Sequence, residues 1–315
     1  MRQDIEFKSE GVTCRGWLFT PDEGTPPFPC VPMAMGANYV KEFPMIKVHT
    51  EEFIRHGIAC LAFDYRSFGA SDGLPRQHLD CPGQVEDCRN AISFAETLPN
   101  IDPNRLGFWG ASVGGGHALI VAALDPRIKC TVSIFPMVDG YNQNRGVRGD
   151  TGMKKLLEAV LEDRRRTIKD PTKIGYMPSV SQDPEKELCY SPMPGNYELY
   201  MECAKVAPAW ENRVTIQSAE IKLRHSAFPF LPRILTMPLL EILLEGDTTT
   251  GNTMNEDGIE AYNRIPSPNK KMLLIPSENR KVTHETVYTK APHTQLFSTP
   301  AAEFLAEHLV EPYKK

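Results

Sequence analysis

The chain has 315 residues, of which 41% are hydrophobic and 24% are charged. These proportions are typical of a globular protein with a sizeable core, and the length allows one large domain or two ordinary ones. The formal net charge of -5 argues against a nucleic-acid-binding protein, since that role usually needs a clustered basic surface.

The sequence shows neither a membrane span nor a disulfide framework. No apolar run reaches the length of about 18 residues that a span requires, and MRQDIEFKSE lacks the apolar stretch of a signal peptide. The eight cysteines form no C-x-x-C pair, and Cys60 and Cys130 stand inside strand-like apolar runs. This pattern suits a reducing compartment, so we expect a cytoplasmic protein.

The first part of the chain alternates between strand-like and helical patterns. The opening segment, DIEF followed by TCRGWLF, alternates in polarity and predicts antiparallel edge strands. Continuous apolar runs predict buried strands at residues 30–35, 59–65, 105–112 and 130–136. Helical spacing predicts helices at residues 45–56 and 84–98. Such alternation is typical of a mostly parallel sheet that helices cover on both faces.

The alternation of strand and helix patterns stops after Asp139. Residues 140–233 are richer in charge and proline and carry amphipathic helical patterns at 153–166 and 197–207.

Strand patterns then return. Strands are predicted at residues 238–247 and 270–276, with helices near 257–264 and 300–309. The sequence therefore predicts one α/β core, made of residues 1–139 and 234–315. A mostly helical lid, residues 140–233, interrupts it.

A serine lies in the turn between the predicted strand RLGFWGAS and the helix that follows it. Gly110, Ser112 and Gly114 form a G-x-S-x-G pattern, in which the small residues avoid collisions around a strained serine. The turn exposes the hydroxyl at the carboxyl edge of the sheet, where the free N–H groups of the helix favour an oxyanion. This context predicts a nucleophile. The alternative is an ordinary tight turn, with phosphate binding as one use, whereas the spacing in GASVGGG does not match a dinucleotide site.

Around this motif the sequence resembles the α/β-hydrolases, and more narrowly their dienelactone-hydrolase-like branch. The resemblance rests on FDYRSFGASDGLPRQ, GQVEDCRNAISF, DPNRLGFWGASVGGGHAL and DPRIKCTVSIFP, in the family's order and spacing, and on WENRVTIQS in the lid. It implies an α/β-hydrolase fold. Within the branch the sequence is most similar to fungal secondary-metabolism hydrolases and polyketide transferases, which release or transfer acyl chains from carrier thioesters.

The resemblance implies a Ser-His-Asp triad and an oxyanion hole. Ser112 is then the nucleophile, and Asp247, which follows the strand after the lid in LLEGDTTT, is the acid. Asp139 is the alternative acid, because some hydrolases place the acid before the lid, and Asp247 would then only cap a turn or helix. The backbone amides of Ala37 and Val113 are the expected oxyanion donors.

The loop after the predicted strand 30–35 departs from the family. Members commonly have a His-Gly pair where this chain has Met35-Gly36. Because backbone N–H groups form the hole, the side-chain change leaves the donors in place. It puts the loop geometry in question, and with it simple ester hydrolysis.

Two histidines follow the last predicted strand. In the family the catalytic histidine precedes a tyrosine by four residues and the aromatic residue of the final helix by about twenty. His284 has Tyr288 and Phe304 at these offsets, whereas His293 has Phe297 at the first and lies only eleven residues before Phe304. We therefore predict His284 as the base and a surface role for His293.

The lid is rich in aromatic residues, which would suit the binding of an apolar acyl chain. Candidate substrate-binding residues are Tyr176, Tyr197 and Trp210. An equally weighted alternative is that these side chains only pack the lid on the core. The expected partner is a small-molecule acyl substrate. One possibility is that a polyketide synthase carrier protein carries this substrate. We expect no metal and no cofactor, and the oligomeric state stays open, a homodimer included.

Together these features predict a serine-dependent acyl hydrolase or acyl transferase that acts on an ester or thioester through an acyl-enzyme. One alternative uses the same triad to cleave a carbon–carbon bond or to fuse two polyketide chains. A second alternative is a non-catalytic, ligand-binding α/β-hydrolase.

Overall fold

The core of the computed structural model is a large sheet. The structure describes residues 1–246, 253–277 and 281–314. Within these ranges, eight strands form the sheet: β1 (Arg2–Ser9), β2 (Val12–Phe19), β3 (Phe28–Ala34), β4 (Ala59–Phe63), β5 (Ile101–Ala111), β6 (Ile128–Ile134), β9 (Leu239–Leu244) and β10 (Lys270–Ile275). A separate antiparallel pair consists of β7 (Tyr176–Met177) and β8 (Val214–Thr215).

The sheet is parallel except at one edge. Its spatial order is β1-β2-β4-β3-β5-β6-β9-β10. β2 pairs antiparallel with both β1 and β4, and the other neighbours run parallel. The predicted antiparallel edge strands and the predicted parallel sheet are both confirmed.

Helices flank the sheet and fill the interruption. Those that flank it are α1 (Pro44–Arg55), α2 (Cys81–Glu96), α3 (Val113–Leu124), α7 (Thr253–Arg264), α8 (His284–Thr289) and α9 (Ala291–Leu309). Residues 140–233 contain α4 (Gly140–Thr167), α5 (Asn196–Ala204), α6 (Ile216–Leu223) and a 3₁₀ turn (Leu231–Arg233). Of the helices in the described ranges, none is both long and apolar enough to cross a membrane.

The handedness of the connections places these helices on two faces. The crossover through α1 steps from β3 to β4, whereas the crossovers through α2 and α3 step across the sheet in the opposite direction. Because such connections are right-handed, α1 covers one face, and α2 and α3 cover the other. α9 packs on α1, and α2 packs on α3. The two-faced coverage inferred from the alternating pattern is therefore confirmed.

The last helix is longer than its pattern suggests. The helical pattern in PAAEFLAEHL predicts the last helix at 300–309. The structure begins α9 at Ala291 and carries Pro300 inside the helix. His293 consequently lies in the first turn of α9, and not on a stretch that leads into it.

His49 should make the stability of the protein depend on pH. This residue of α1 is fully buried against the Trp109 ring, with ring centroids 4.7 Å apart, and burial lowers its pKa to about 4. Between pH 6.5 and 4 the unfolded chain therefore binds a proton at this position that the folded chain does not, so stability falls as the pH falls. The expected loss from this residue is about 2 kcal/mol between pH 8 and pH 5.

The measurement is denaturant unfolding of the wild type and of His49→Leu at both pH values. The variant should lose about 2 kcal/mol less than the wild type between pH 8 and pH 5. An equal loss in both proteins would show that His49 does not contribute to the acid sensitivity.

Candidate active site

Ser112 occupies a strained turn between β5 and α3. Its φ of 57° and ψ of -120° lie outside the regions that L-residues readily adopt. Two backbone hydrogen bonds hold the turn: the Ser112 amide donates to the Ile134 carbonyl (2.9 Å), and the Met137 amide donates to the Ser112 carbonyl (2.8 Å). Strained backbone that neighbouring structure holds in place is concentrated at functional sites, which supports the assignment of Ser112 as a nucleophile.

Glycines make this turn sterically possible. A Cβ at Gly110 would collide with the Gly114 carbonyl, and a Cβ at Gly114 would collide with the Ala34 carbonyl. A Cβ at Gly116 would collide with the Met137 carbonyl. The first turn of α3 therefore packs directly on the backbone at the ends of β3 and β6, which only glycine allows.

The expected oxyanion donors lie on two different elements. Val113 is the first residue of α3, where an amide has no intrahelical acceptor and the helix dipole favours negative charge. Ala37 lies in the loop after β3, and its carbonyl accepts a 2.6 Å hydrogen bond from the Tyr200 hydroxyl of α5. Next to it, Asn38 has a left-handed φ of 58° and donates to the Ser179 hydroxyl (2.5 Å). Residues from the predicted lid thus hold the loop after β3. We call it the oxyanion loop, because it carries the expected donor Ala37.

A buried ion pair also anchors this loop. Lys41 Nζ lies 2.6 Å from the Asp64 carboxylate, and the Lys41 amide donates to the same group (2.8 Å). Asp64 also accepts a hydrogen bond from the Ala70 amide (2.9 Å), so further donors stabilise the buried carboxylate. Met35, which replaces the histidine usual in the family, is fully buried and faces the core.

His284 begins α8, a short helix that follows the last strand. Thr283 caps this helix through a capping box with Thr286. The His284 ring is 2% exposed and packs on Phe135, with centroids 5.3 Å apart, and on Tyr288, with centroids 4.9 Å apart. Phe135 directly follows β6, which neighbours β5, the strand that precedes Ser112. His284 therefore lies near the edge of the sheet that carries Ser112.

The alternative base and acid have other partners. His293 Nδ1 lies 2.7 Å from the Thr286 hydroxyl, so this histidine ties α9 to α8. Asp139 caps α4 by accepting a 2.9 Å hydrogen bond from the Asn142 amide. Asp247, the acid that we predict, lies outside the described residues, so its role stays a prediction.

The three lid residues selected from the sequence lie in different settings. Trp210 packs on the Tyr200 ring, with centroids 5.4 Å apart, and so stands behind the oxyanion loop. Tyr197 is half-buried against the core. Tyr176 is 38% exposed and donates to the Arg76 carbonyl (3.2 Å). Substrate contact by all three stays a prediction.

An aromatic residue of the loop was not detected from the sequence. Tyr39 packs against Phe43, Tyr200 and Tyr288, with centroid distances of 4.6, 5.3 and 5.4 Å. It therefore joins the oxyanion loop to α5 and to the helix of His284. The only signal in the sequence is an aromatic residue two positions after Ala37, which says nothing about these distant partners.

Comparisons with known proteins identify the family to which the chain belongs. Residues 10–218 match the family described as X-Pro dipeptidyl-peptidase (S15 family). The chain is 32% identical over 253 residues to a thiohydrolase of Eupenicillium brefeldianum, covering 78% of each chain. It is 30% identical over 283 residues to the polyketide transferase claH of Penicillium crustosum, covering 85% of this chain and 87% of the relative.

Another relative aligns over a shorter stretch. The quorum-quenching protein AidA of Acinetobacter baumannii is 39% identical over 165 residues, and the match spans only about half of each protein, 52% of this chain and 53% of the relative. Among solved structures, the alpha/beta hydrolase GrgF of Penicillium sp. sh18 superposes on 98% of this chain and 99% of its own with a TM-score of 0.79, at 25% identity. The chain therefore belongs to the α/β-hydrolases, in the family described as X-Pro dipeptidyl-peptidase (S15 family), and is an enzyme of that fold.

Proposed function

We propose that this enzyme is a serine acyl hydrolase or acyl transferase that cleaves a thioester of a polyketide-type acyl chain. The observation that carries the proposal is the strained Ser112 turn at the start of α3, with His284 packed on Phe135 near the same edge of the sheet. The strained turn holds this serine at the carboxyl edge of the sheet, which is the position of the nucleophile in an α/β-hydrolase.

The reaction has two halves. The Ser112 hydroxyl attacks the thioester carbonyl while His284 takes its proton, and the charge that develops on the carbonyl oxygen is stabilised by the Ala37 and Val113 amides. The carbon–sulfur bond breaks, and the thiol leaves with the proton from His284. Water or a second nucleophile then attacks the acyl-enzyme and gives its proton to His284. The bond between the acyl group and the Ser112 oxygen breaks, and His284 returns the proton to that oxygen. Asp247 holds the imidazole in the required tautomer.

A thioester substrate is favoured by the relatives. The family description names a peptidase, but the relatives aligned over most of this chain are named a thiohydrolase and a polyketide transferase. The aromatic residues Tyr39, Tyr200 and Trp210 beside the oxyanion loop suit an acyl chain with apolar surface. A carrier protein is the natural source of such a thioester, and we propose it as the partner.

Residues 140–233 act as the lid in this proposal. Tyr200 and Ser179, both in this region, bond to the oxyanion loop, so the lid supports the loop directly. Ser112 is only 8% exposed, which limits the access of bulk water. Exclusion of water would favour transfer to a second nucleophile over hydrolysis.

Substitution of the triad should abolish acyl-enzyme formation. After incubation with a panel of acyl-N-acetylcysteamine thioesters, intact-mass spectrometry should detect one acyl adduct on the wild type and none on Ser112→Ala. His284→Ala and Asp247→Asn should each lower turnover by about 10⁴-fold. The first variant removes the base that accepts the serine proton, and the second removes the carboxylate that holds this base in the required tautomer.

The alternative residues provide matched controls. His293→Ala and Asp139→Asn remove one histidine and one carboxylate whose observed partners are Thr286 and the α4 amide, so both variants should keep most of the activity. The triad assignment would be overturned if His293→Ala or Asp139→Asn proved the severe variant and its counterpart stayed active. A wild type that forms no adduct with any thioester, and that a fluorophosphonate fails to label, would overturn the proposed function.

Tyr200→Phe should weaken the oxyanion hole. The substitution removes the 2.6 Å hydrogen bond to the Ala37 carbonyl, so the loop loses a fixed peptide orientation. We expect kcat to fall about tenfold, with a loss of about 1 kcal/mol in stability.

A second tyrosine is the control for this prediction. The Tyr262 hydroxyl of α7 also donates to a backbone carbonyl, that of Lys270 (3.4 Å), in a part of the protein remote from Ser112. Tyr262→Phe should leave kcat unchanged. Equal kcat values for the wild type and Tyr200→Phe would rule out support of the hole by this bond.

A further inference from the structure

A lysine in residues 140–233 is buried and has no hydrogen-bond acceptor in the described part of the chain. Lys222, in the last turn of α6, is 5% exposed. Its ammonium group lies over the Tyr190 ring, 4.8 Å from the centroid, and finds no hydrogen-bond acceptor among the residues that the structure describes. Burial of an unpaired ammonium is unfavourable, so such a group calls for a partner.

A second cation lies beside this lysine. The Arg148 guanidinium of α4 donates to the Cys189 and Tyr190 carbonyls (2.7 and 2.9 Å) and to the Asn144 side chain (3.1 Å). Within the described ranges it forms no ion pair with a carboxylate. Burial and, to a smaller extent, repulsion from Arg148 together lower the pKa of Lys222 to about 7. Two neighbouring cations therefore share one region without a counter-ion from the described chain.

A hydroxyl donor completes this group. The Tyr190 side chain is 2% exposed, and its hydroxyl has no hydrogen-bond partner in the described part of the protein. The Tyr190 ring contacts the Lys222 ammonium, and the Tyr190 hydroxyl interacts electrostatically with Arg148. An ammonium, a guanidinium and a hydroxyl together supply donors to an oxyanion.

The chain places this group near the catalytic serine. Met137, whose amide bonds to the Ser112 carbonyl, is three residues before Gly140, and a Cβ at Gly140 would collide with the Lys222 carbonyl. On its outer side, Arg148 lines a surface cavity of about 690 Å³. The Lys222 backbone therefore packs on the segment that follows Met137, while Arg148 reaches a cavity that opens to solvent.

We propose that Lys222, Arg148 and the Tyr190 hydroxyl bind a carboxylate group on the acyl substrate, at a distance from the thioester. The proposal rests on the proposed thioester chemistry and adds a substrate class to it, acyl chains that carry a carboxylate. A singly charged carboxylate suits this buried site better than a phosphate, because a doubly charged group loses more hydration on burial.

The test measures binding to Ser112→Ala protein, so that no turnover is needed. One probe is the mono-N-acetylcysteamine thioester of sebacic acid, and the other is its methyl ester, which lacks the negative charge. Titration calorimetry should show the carboxylate binding at least about tenfold more tightly than the methyl ester. Adding Lys222→Met should abolish this preference while the methyl ester binds as before.

A second lysine offers a matched control. Lys155 is exposed on α4 and lines the same surface cavity as Arg148. Lys155→Met should retain the preference for the carboxylate, whereas Tyr190→Phe should reduce it. The proposal is overturned if Lys222→Met keeps the preference or weakens both probes by the same factor. It is also overturned if 4′-phosphopantetheine, and not the carboxylate, shows the dependence on Lys222.

The pH dependence gives an independent readout. The titratable and charged groups around Lys222 are Arg148 on α4, Cys81 on α2 and Tyr190. Burial raises the pKa of Cys81 to about 12 and that of Tyr190 well above its ordinary value, so neither titrates near neutrality. The carboxylate affinity should therefore fall by up to about tenfold per pH unit above pH 7, with uptake of a proton on binding.

Calorimetry in two buffers of different ionisation enthalpy measures that proton uptake at pH 8. An affinity independent of pH between 6 and 9 would contradict a role for Lys222 in binding. Failure of the proposed function remains distinguishable, because it appears as the absence of an acyl adduct on Ser112 in the wild type, whatever the Ser112→Ala protein binds.

Discussion

The left-handed backbone at Ser112 is the constraint on which the rest of the site depends. It requires that α3 start in direct contact with the ends of β3 and β6, which is possible because Gly110, Gly114 and Gly116 have no side chain to collide with neighbouring carbonyls. The strain is offset by the parallel sheet, whose buried strands hold both ends of the turn. The hydroxyl and the first amide of α3 are consequently positioned before any substrate arrives, which lowers the cost of reorganisation in the transition state.

The second half of the proposed oxyanion hole depends on long-range contacts. The Ala37 loop is held by Tyr200 on one side and by the Lys41–Asp64 pair on the other. Because Tyr200 belongs to residues 140–233, a movement of this region would alter the hole as well as the access of water. Support of the hole and closure of the site would then be coupled in one structural element.

Buried charge has two different roles in this fold. Lys41 and Asp64 compensate each other and fix a loop, whereas Lys222 and Arg148 have no counter-ion in the described chain. A buried pair contributes specificity with little net stability, but uncompensated cations lower stability until an anion binds. The carboxylate ligand that we propose would compensate these cations.

Local patterns alone determined the parallel sheet, the antiparallel edge and the serine turn, since strand periodicity and the G-x-S-x-G spacing act over a few residues. Periodicity misplaced the start of α9, because tertiary packing tolerates Pro300 inside the helix. Only the tertiary structure distinguished the surroundings of His284 from those of His293, and it alone brought Tyr39, Tyr200 and Ala37 together. It also decided that Lys222 is buried beside Arg148 while Lys155 is exposed, because burial arises from packing between elements far apart in the chain and leaves no local signal in the sequence.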